Sequence, residues 1–548
     1  MYHRPTRVRR LLGAAAAITA AALVVSGCST SGDDTDEERT LVVLSTDTAL
    51  GFDPATNVNL PTTWLGLVGR RLTTWSIGSD GNVEVVPDLA TDTGTPSDDG
   101  TVWSYTLKDD IFFEDGTPIT SGDIKYGVER TFAPDLSGGL HYHNALLEGG
   151  AEYTGPFDGG DLASIETPDD KTIVFHLVQP YGDFPWLAAM NPFIPVPEGE
   201  GVDIAAYDVK PVASGPYRIE SNEDGNETVL VRNDEWVAAT DEVRTADPDR
   251  IVIRQSQNAS TIAQSLISDT GEAKTSTNGY PLSAAELALV HADPAAEERL
   301  VTSEGGLFYY AALNTDSPEL SDPLVRQAVQ YAVDRASIIT ALGGDEAAVS
   351  TTTVIPPGVP GHEDFDLYPE DAETAKDLLA QAGHPDGITL DVWVANGDTA
   401  VAEALQQGVA RAGITLNINP LDQGVMYGDA MGGNSDYDLF LSWWIGDYPS
   451  PAATVSLMFE SKYIDGGYNL SRTADPDLDA AIADVIATTD ADEAAQKWTA
   501  IDRSIMESGS ILPLYLTRNS FLRGSEVAPF TIPAYPAFQD YLTISLAG

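Results

Sequence analysis

Residues able to do chemistry are few in this chain once its charge is set aside. Cys28 is the only cysteine among 548 residues, in the stretch LVVSGCSTSGDD from Leu23 to Asp34. A single thiol forms no internal disulfide, so its role lies elsewhere. Of seven histidines, only His141 and His143 lie close together. On a strand they would share a face, an arrangement that would suit a metal, but no third ligand is nearby, and a loop pair without metal is the expectation. No Gly-x-Ser-x-Gly elbow, His-Glu-x-x-His helix or Gly-x-x-x-x-Gly-Lys phosphate loop is present. With 84 acidic residues, pairs of carboxylates arise everywhere and carry no information. The residues therefore predict no catalytic group, no metal and no cofactor.

The setting of Cys28 is more telling. Arg4, Arg7, Arg9 and Arg10 form a basic head before the apolar run Leu11 to Val25. Small residues Ser26 and Gly27 follow, completing the three-part pattern of a secretory signal peptide. The run is short for a membrane span, which needs about 20 residues. Val25-Ser26-Gly27-Cys28 resembles a bacterial lipobox, in which the thiol is acylated and the cysteine becomes the first mature residue. Two or more acyl chains hold a protein stably at a membrane, whereas one does not. Ser31 to Thr40, polar and charged, reads as a flexible tether.

About 520 residues remain after cleavage, too many for a single core. The chain has 84 Asp and Glu against 29 Lys and Arg. Without the four signal arginines the bases number 25 and the net charge is −59. That balance argues against nucleic acid and against adhesion to anionic lipid, both of which need basic patches.

The elements that must position any site follow from periodicity. Leu41 to Ser45, Thr101 to Phe113, Thr172 to Pro180, Glu227 to Asn233 and Arg250 to Ser256 read as strands, and Ser121 to about Phe132 as a helix. Asp322 and Pro323 open one long helix whose apolar stripe runs through Ile338 to a stop at Gly343. A second helix starts at Pro369 and ends at Gly383. Strand Ile388 to Asn396, a helix, strand TLNINPL and the nearly all-apolar strand Tyr437 to Trp444 follow. Two more helices precede strand Ile511 to Arg518. The strand-helix-strand order predicts a parallel-type α/β sheet in this third quarter.

Eight segments in order then resemble the extracytoplasmic solute-binding proteins of the oligopeptide, dipeptide and nickel importers, family 5 of the ABC-transporter binding proteins. The most specific is WSYTLKDDIFFEDGTPITSGDIKYGVERTF, Trp103 to Phe132. The others are GFDPA at Gly51, VPDLA at Val86, SGPYRI at Ser214, LVRQAVQYAVDR at Leu324, YPEDAETAKDLLAQAG at Tyr368, WIGDYPSP at Trp444 and ILPLY at Ile511. The resemblance implies an α/β, two-lobed periplasmic-binding-protein-like fold of the large three-subdomain type with a two-strand hinge. Residues 1–27 would be the signal peptide and 28–40 the lipidated cysteine and tether. Residues 41–81, 205–310 and 514–548 would form lobe I, 82–204 an extra subdomain of it, and 311–513 lobe II. Most of the motif residues are structural; Asp115-Gly116 is a turn, and Arg326, Asp334 and Arg335 are packing or surface charges.

The resemblance also implies a site. Peptide-binding members use the carboxylate matching Asp447 for the peptide's α-ammonium, and Asp447 follows a buried strand directly, where ligands of α/β sheets bind. An enclosed carboxylate makes short, charge-assisted hydrogen bonds to an ammonium. Trp444, Trp443 and Tyr448 would wall the pocket. The peptide main chain would pair with Trp443 to Ile445 and with the loop Val58 to Thr62, including Asn59 and Leu60. Tyr309 and Tyr310 at the hinge would line the cleft or pack the lobes. Some oligopeptide binders carry an arginine shortly before this aspartate, and dipeptide binders carry one where this chain has VANGDTA, with Asn396. Neither arginine is present. A longer peptide, or a non-peptide solute such as a sugar, nickel chelate or small cation, stays open. The expectation is a monomeric, exported, lipid-anchored receptor serving the permease of an ABC importer, not an enzyme. A lipid-anchored hydrolase with an unrecognised site and a structural envelope protein are the alternatives from other classes.

Overall fold

β-Branched runs build the first sheet. In the computed structural model, which describes residues 38–157 and 160–547, strands Ser276–Asn278, Thr40–Leu44, Arg250–Arg254, Glu227–Arg232 and Tyr217–Glu223 lie side by side in that order. Thr40–Leu44 runs parallel to both its neighbours. Its side chains alternate: Leu41 and Val43 enter one core, Val42 and Leu44 another, as the two-residue period of a strand requires. The signal, Cys28 and most of the tether lie outside the described residues.

A second, antiparallel sheet orders Thr95–Pro96, Val102–Thr106, Thr172–His176 and Ile165–Asp169. The strand expected to reach Phe113 stops at Thr106. The backbone turns at Asp110, which sits in the left-handed region at φ 57°, and the chain beyond it pairs with its own return at Phe112 and Pro118 instead of with Thr172–His176. Helix Ser121–Arg130 follows, opened by a reciprocal Thr120–Asp123 capping box. Its last residue, Arg130, forks onto Asp53 with N–O distances of 3.1 and 2.8 Å, both side chains fully buried. Two of the motifs, GFDPA and the end of the long one, thus meet as one ion pair.

The third sheet is mixed: its third-quarter strands pair parallel, as expected, and antiparallel strands complete it. Its order is Ala348–Ser350, Ile511–Thr517, Phe308–Leu313, Leu439–Trp444, Ile388–Ala395 and Ile414–Leu421. Ile388–Ala395 is parallel to both neighbours, while Phe308–Leu313 is antiparallel to both of its own. The helix expected from Asp322 to Gly343 is two helices, Pro323–Ala332 and Arg335–Leu342. Val333 is extended, and the Asp334 carboxylate accepts from Ser337 N–H to start a new helix. Helix Gln423–Met431, capped by Asp422, has no counterpart in the sequence reading.

Two chain segments join the lobes side by side. Leu300–Thr302 pairs antiparallel with Ser520–Leu522, and Phe308–Leu313 with Ile511–Thr517. Between them Ser303 N–H donates to Asn519 O at 2.9 Å, and Thr517 N–H to Leu307 O at 3.0 Å. Gly306 passes so close that a Cβ there would lie 2.5 Å from Thr517 Oγ1. The fold is α/β and two-lobed with a paired two-strand connection. Among the described residues no helix is long and apolar enough to cross a membrane.

Candidate functional site

Strand Leu439–Trp444 ends the parallel part of the third sheet, and its pairing is lopsided. On one side it pairs with Phe308–Leu313 along its whole length. On the other its ladder to Ile388–Ala395 stops after Phe440 and Trp393. From Leu441 onward that edge faces no strand among the described residues, which leaves room for another strand to pair there, although Ser442 Oγ donates to Trp443 O at 3.4 Å. The two strands diverge here toward their carboxyl ends. The Tyr427 and Ser442 hydroxyls bond to each other beside the gap.

Ile445, Gly446 and Asp447 follow the strand. Gly446 is hemmed in: a Cβ would lie 3.2 Å from Ala453 Cβ and 3.2 Å from Tyr448 O. The half-buried Asp447 carboxylate accepts a hydrogen bond from Tyr142 Oη, at the start of helix Tyr142–Leu146 in the 82–204 segment. Burial, then the neighbouring charge of Asp447, pushes the Tyr142 phenol well above its ordinary value. Two more contacts join the same partners. Tyr181 and Tyr448 hydroxyls lie 2.6 Å apart, and Ser450 Oγ donates to Asp183. Burial raises the Asp183 carboxyl to about 6. Tyr142, a long-range partner of Asp447, escaped the sequence reading because nothing local marks a contact across 305 residues.

The expected pocket walls separate. Directly paired residues share a face of the sheet. Tyr309 pairs with both Trp443 and Tyr515, which puts Trp443 on the face opposite Trp444. Trp443 therefore does not wall a pocket with Trp444. Trp444 donates its indole N–H to Ala453 O at 3.1 Å and packs edge-on to Tyr468 at 4.8 Å. With Ile445 and Tyr448 it borders a cavity of about 20 Å³ against Gly306, Phe308 and Tyr535, room for about one water. Tyr448 is 2% exposed and serves mainly as packing. Tyr310, 1% exposed and stacked on Phe308, packs the core and does not face the cleft. Tyr309 is half-buried and stacks on Tyr515 at 4.6 Å.

Asn59 and Leu60 lie apart from strand Leu439–Trp444. They border a pocket of about 200 Å³ with Trp64, Tyr280, Phe521 and Phe538, which shares no residue with the cavity beside Trp444. Their loop is not the strand-like edge expected for peptide pairing. Leu60 O closes a turn by accepting from Thr63 N–H, and Asn191 Nδ2 donates to Asn59 O at 2.9 Å. The Asn191 carbonyl in turn accepts from Arg71 at 2.6 Å. Burial lowers the Arg71 guanidinium to about 9.

Asn396 is exposed, with its carbonyl taken by Thr399 Oγ1. In the same loop Asp398 is half-buried and makes no capping bond to helix Thr399–Val409, and burial raises its carboxyl above the usual carboxylate range. His141 and His143 are not a loop pair: they open helix Tyr142–Leu146, and the buried His143 ring lies 2.6 Å from Thr131 Oγ1. Burial lowers its pKa to about 3.

Comparison places this arrangement among known proteins. Residues 84–466 match the family model described as bacterial extracellular solute-binding proteins, family 5 Middle. The glutathione-binding protein GsiB of Salmonella typhi is 25% identical over 438 residues, covering 77% of this chain and 79% of the relative. A probable di/tripeptide-binding protein 5 of Pseudomonas aeruginosa (strain UCBPP-PA14) is 25% identical, covering 90% and 94%. The solved structure of clavulanic acid biosynthesis oligopeptide binding protein 2 superposes with a TM-score of 0.82 at 30% identity, covering 93% of this chain and 96% of that one.

Proposed function

Because the chain belongs to the bacterial extracellular solute-binding proteins, family 5, we propose that it captures peptides outside the cell membrane and passes them to the permease of an ABC importer. The observation that carries the peptide reading is the open edge of Leu441 to Trp444, which leads directly to the Asp447 carboxylate. An extended peptide pairs its main chain with such an edge whatever its side chains are. Its α-ammonium reaches Asp447, replacing or joining the Tyr142 hydroxyl. Relatives named for binding glutathione and di- or tripeptides support the same ligand class.

Asp447, Trp444 and Ile445 form the lobe II side of the site in this reading, and Asn59 and Leu60 the lobe I side. Lobe I comprises 41–81, 205–310 and 514–548, the 82–204 subdomain belongs with it, and 311–513 is lobe II. Ligand contacts to both lobes favour the closed state over the open one. The protein acts by capture and release, not by turnover. Calorimetry of the body from Ser29 onward with short peptides tests this. Saturable binding is expected; heat from a sugar but from no peptide would overturn the ligand class.

The chain is anchored in this reading through acylated Cys28. Cys28→Ser is expected to move the protein from the membrane fraction to the medium or soluble fraction. Its retention with membranes would contradict the anchor.

A further inference from the structure

The pocket beside Asn59 and Leu60 has no charged side chain in its wall among the described residues, in a chain with 84 acidic residues. That wall is largely aromatic, built from Trp64, Tyr280, Phe521, Phe538 and Tyr541. The ring centres of Trp64 and Tyr541 lie 5.8 Å apart, and those of Phe521 and Phe538 6.4 Å apart. At its border Val58 and Tyr280 are 56% and 45% exposed. A hydrogen-bonded frame holds the wall in place. Asn278 Oδ1 accepts from Leu522 N–H at 2.7 Å, and the Asn278 amide donates to Tyr280 O. Gln539 Nε2 donates to Asn278 O at 2.8 Å, and Tyr541 N–H to Thr62 O at 2.9 Å. The segments that carry the five rings are thereby tied to one another, and the pocket is formed in advance, as ligand pockets usually are.

Its size suits one large side chain. An enclosed apolar cavity of about 150 Å³ holds a benzene ring, and this pocket has about 200 Å³. Gln539 spends its amide on the frame, so the pocket offers an occupant mainly aromatic surface. The Asn59–Leu60 loop is folded into a turn and presents no strand-like edge. What it offers a ligand is this pocket. The segment that lines it also reaches the Asp447 end of the site. Tyr535 Oη donates to Gly446 O, one residue before Asp447. Three residues after Tyr535, at most about 11 Å of chain, Phe538 stands in the pocket wall. Asn519 Nδ2 donates to Ala537 O at 2.9 Å and fixes that stretch.

From this geometry we propose that the pocket takes one large apolar side chain of the bound peptide, with aromatic rings preferred. The proposal rests on the peptide reading above, in which Asn59 and Leu60 meet the ligand. A peptide held by its ammonium at Asp447 passes the Tyr535–Phe538 stretch and turns a later side chain into the pocket. Burial of that side chain adds affinity in proportion to the apolar area it removes from water. The ligands favoured are then peptides with a free amino terminus and a phenylalanine, tyrosine, tryptophan or leucine a few residues on. A charged side chain at that position is disfavoured, because the wall holds no partner for it.

The test is a set of penta-alanine peptides carrying one phenylalanine at each position in turn, titrated into wild type, Tyr280→Ala and the double variant Tyr280→Ala with Phe538→Ala. At one position after the first, phenylalanine is expected to bind wild type at least about tenfold more tightly than alanine. The double variant should lose most of that gain, while penta-alanine, which leaves the pocket empty, binds as before. Should the double variant fail to fold in a thermal melt, Tyr280→Ala decides: the residue is exposed, and its loss should cut the gain to about a third. Absence of any phenylalanine gain in wild type, or its full survival in a folded variant, would overturn the pocket alone. Failure of wild type to bind any of the peptides would overturn the peptide reading and the pocket with it.

Discussion

Asp447→Ala is expected to abolish high-affinity peptide capture while leaving the fold intact. The carboxylate stands beyond the last strand residue, where only Tyr142 Oη approaches it as a hydrogen-bond donor among the described contacts. An ammonium bound there would be shielded from water by Tyr142 and its neighbour Tyr448, and would lose its charge partner when the carboxylate is removed. Truncating one member of such a pair typically costs about 2–5 kcal/mol of binding, or roughly 30-fold to several thousand-fold in affinity. Stability should fall far less, since the lost protein contact is one half-buried hydrogen bond worth about 1 kcal/mol. Calorimetric titration beside a thermal melt separates the two effects. Unchanged affinity in a folded variant would refute the role of Asp447.

Arg130→Ala acts on stability instead. Its guanidinium is held bidentately by Asp53, donates to Gly201 O at 3.0 Å and lies over the Tyr207 ring at 4.9 Å. Neither charged side chain has measurable exposure. Removing the arginine leaves the Asp53 charge buried and unpaired, at a cost of about 3–5 kcal/mol. For a cooperative unit of this size the unfolding midpoint should drop by roughly 3–5 °C. Asp53 also accepts from Ala55 N–H in the segment that leads to Asn59 and Leu60, so the pocket those two residues border should loosen as well. Replacing both residues, Asp53→Asn with Arg130→Met, should recover part of the loss, because no charge is then stranded. A single variant as stable as wild type would show that the pair contributes nothing.

Local pattern carried much of this fold. The strands on both sides of the hinge are runs of β-branched and aromatic residues, and their existence was legible, as was the family from its ordered motifs. Ends were less legible: Asp110 at positive φ and the Asp334 cap each interrupted an element whose hydrophobic period continued through it. Within the site, simple alternation along a strand separates Trp443 from Trp444 and Tyr309 from Tyr310. The period alone therefore argued against grouping each pair in one pocket. What no local pattern contains is the approach of Tyr142 to Asp447, or of Tyr181 and Asp183 to Tyr448 and Ser450, which depends on how segments about 270 to 305 residues apart pack together.

The most direct measurement is a paired titration of the wild-type body with one peptide and with the same peptide acetylated at its amino terminus. Acetylation removes the ammonium and leaves the main chain free to pair with Leu441 to Trp444. Saturable binding of the free peptide, weakened at least about 30-fold by acetylation, is the expected result. Equal binding of the two would contradict capture of a peptide amine by Asp447.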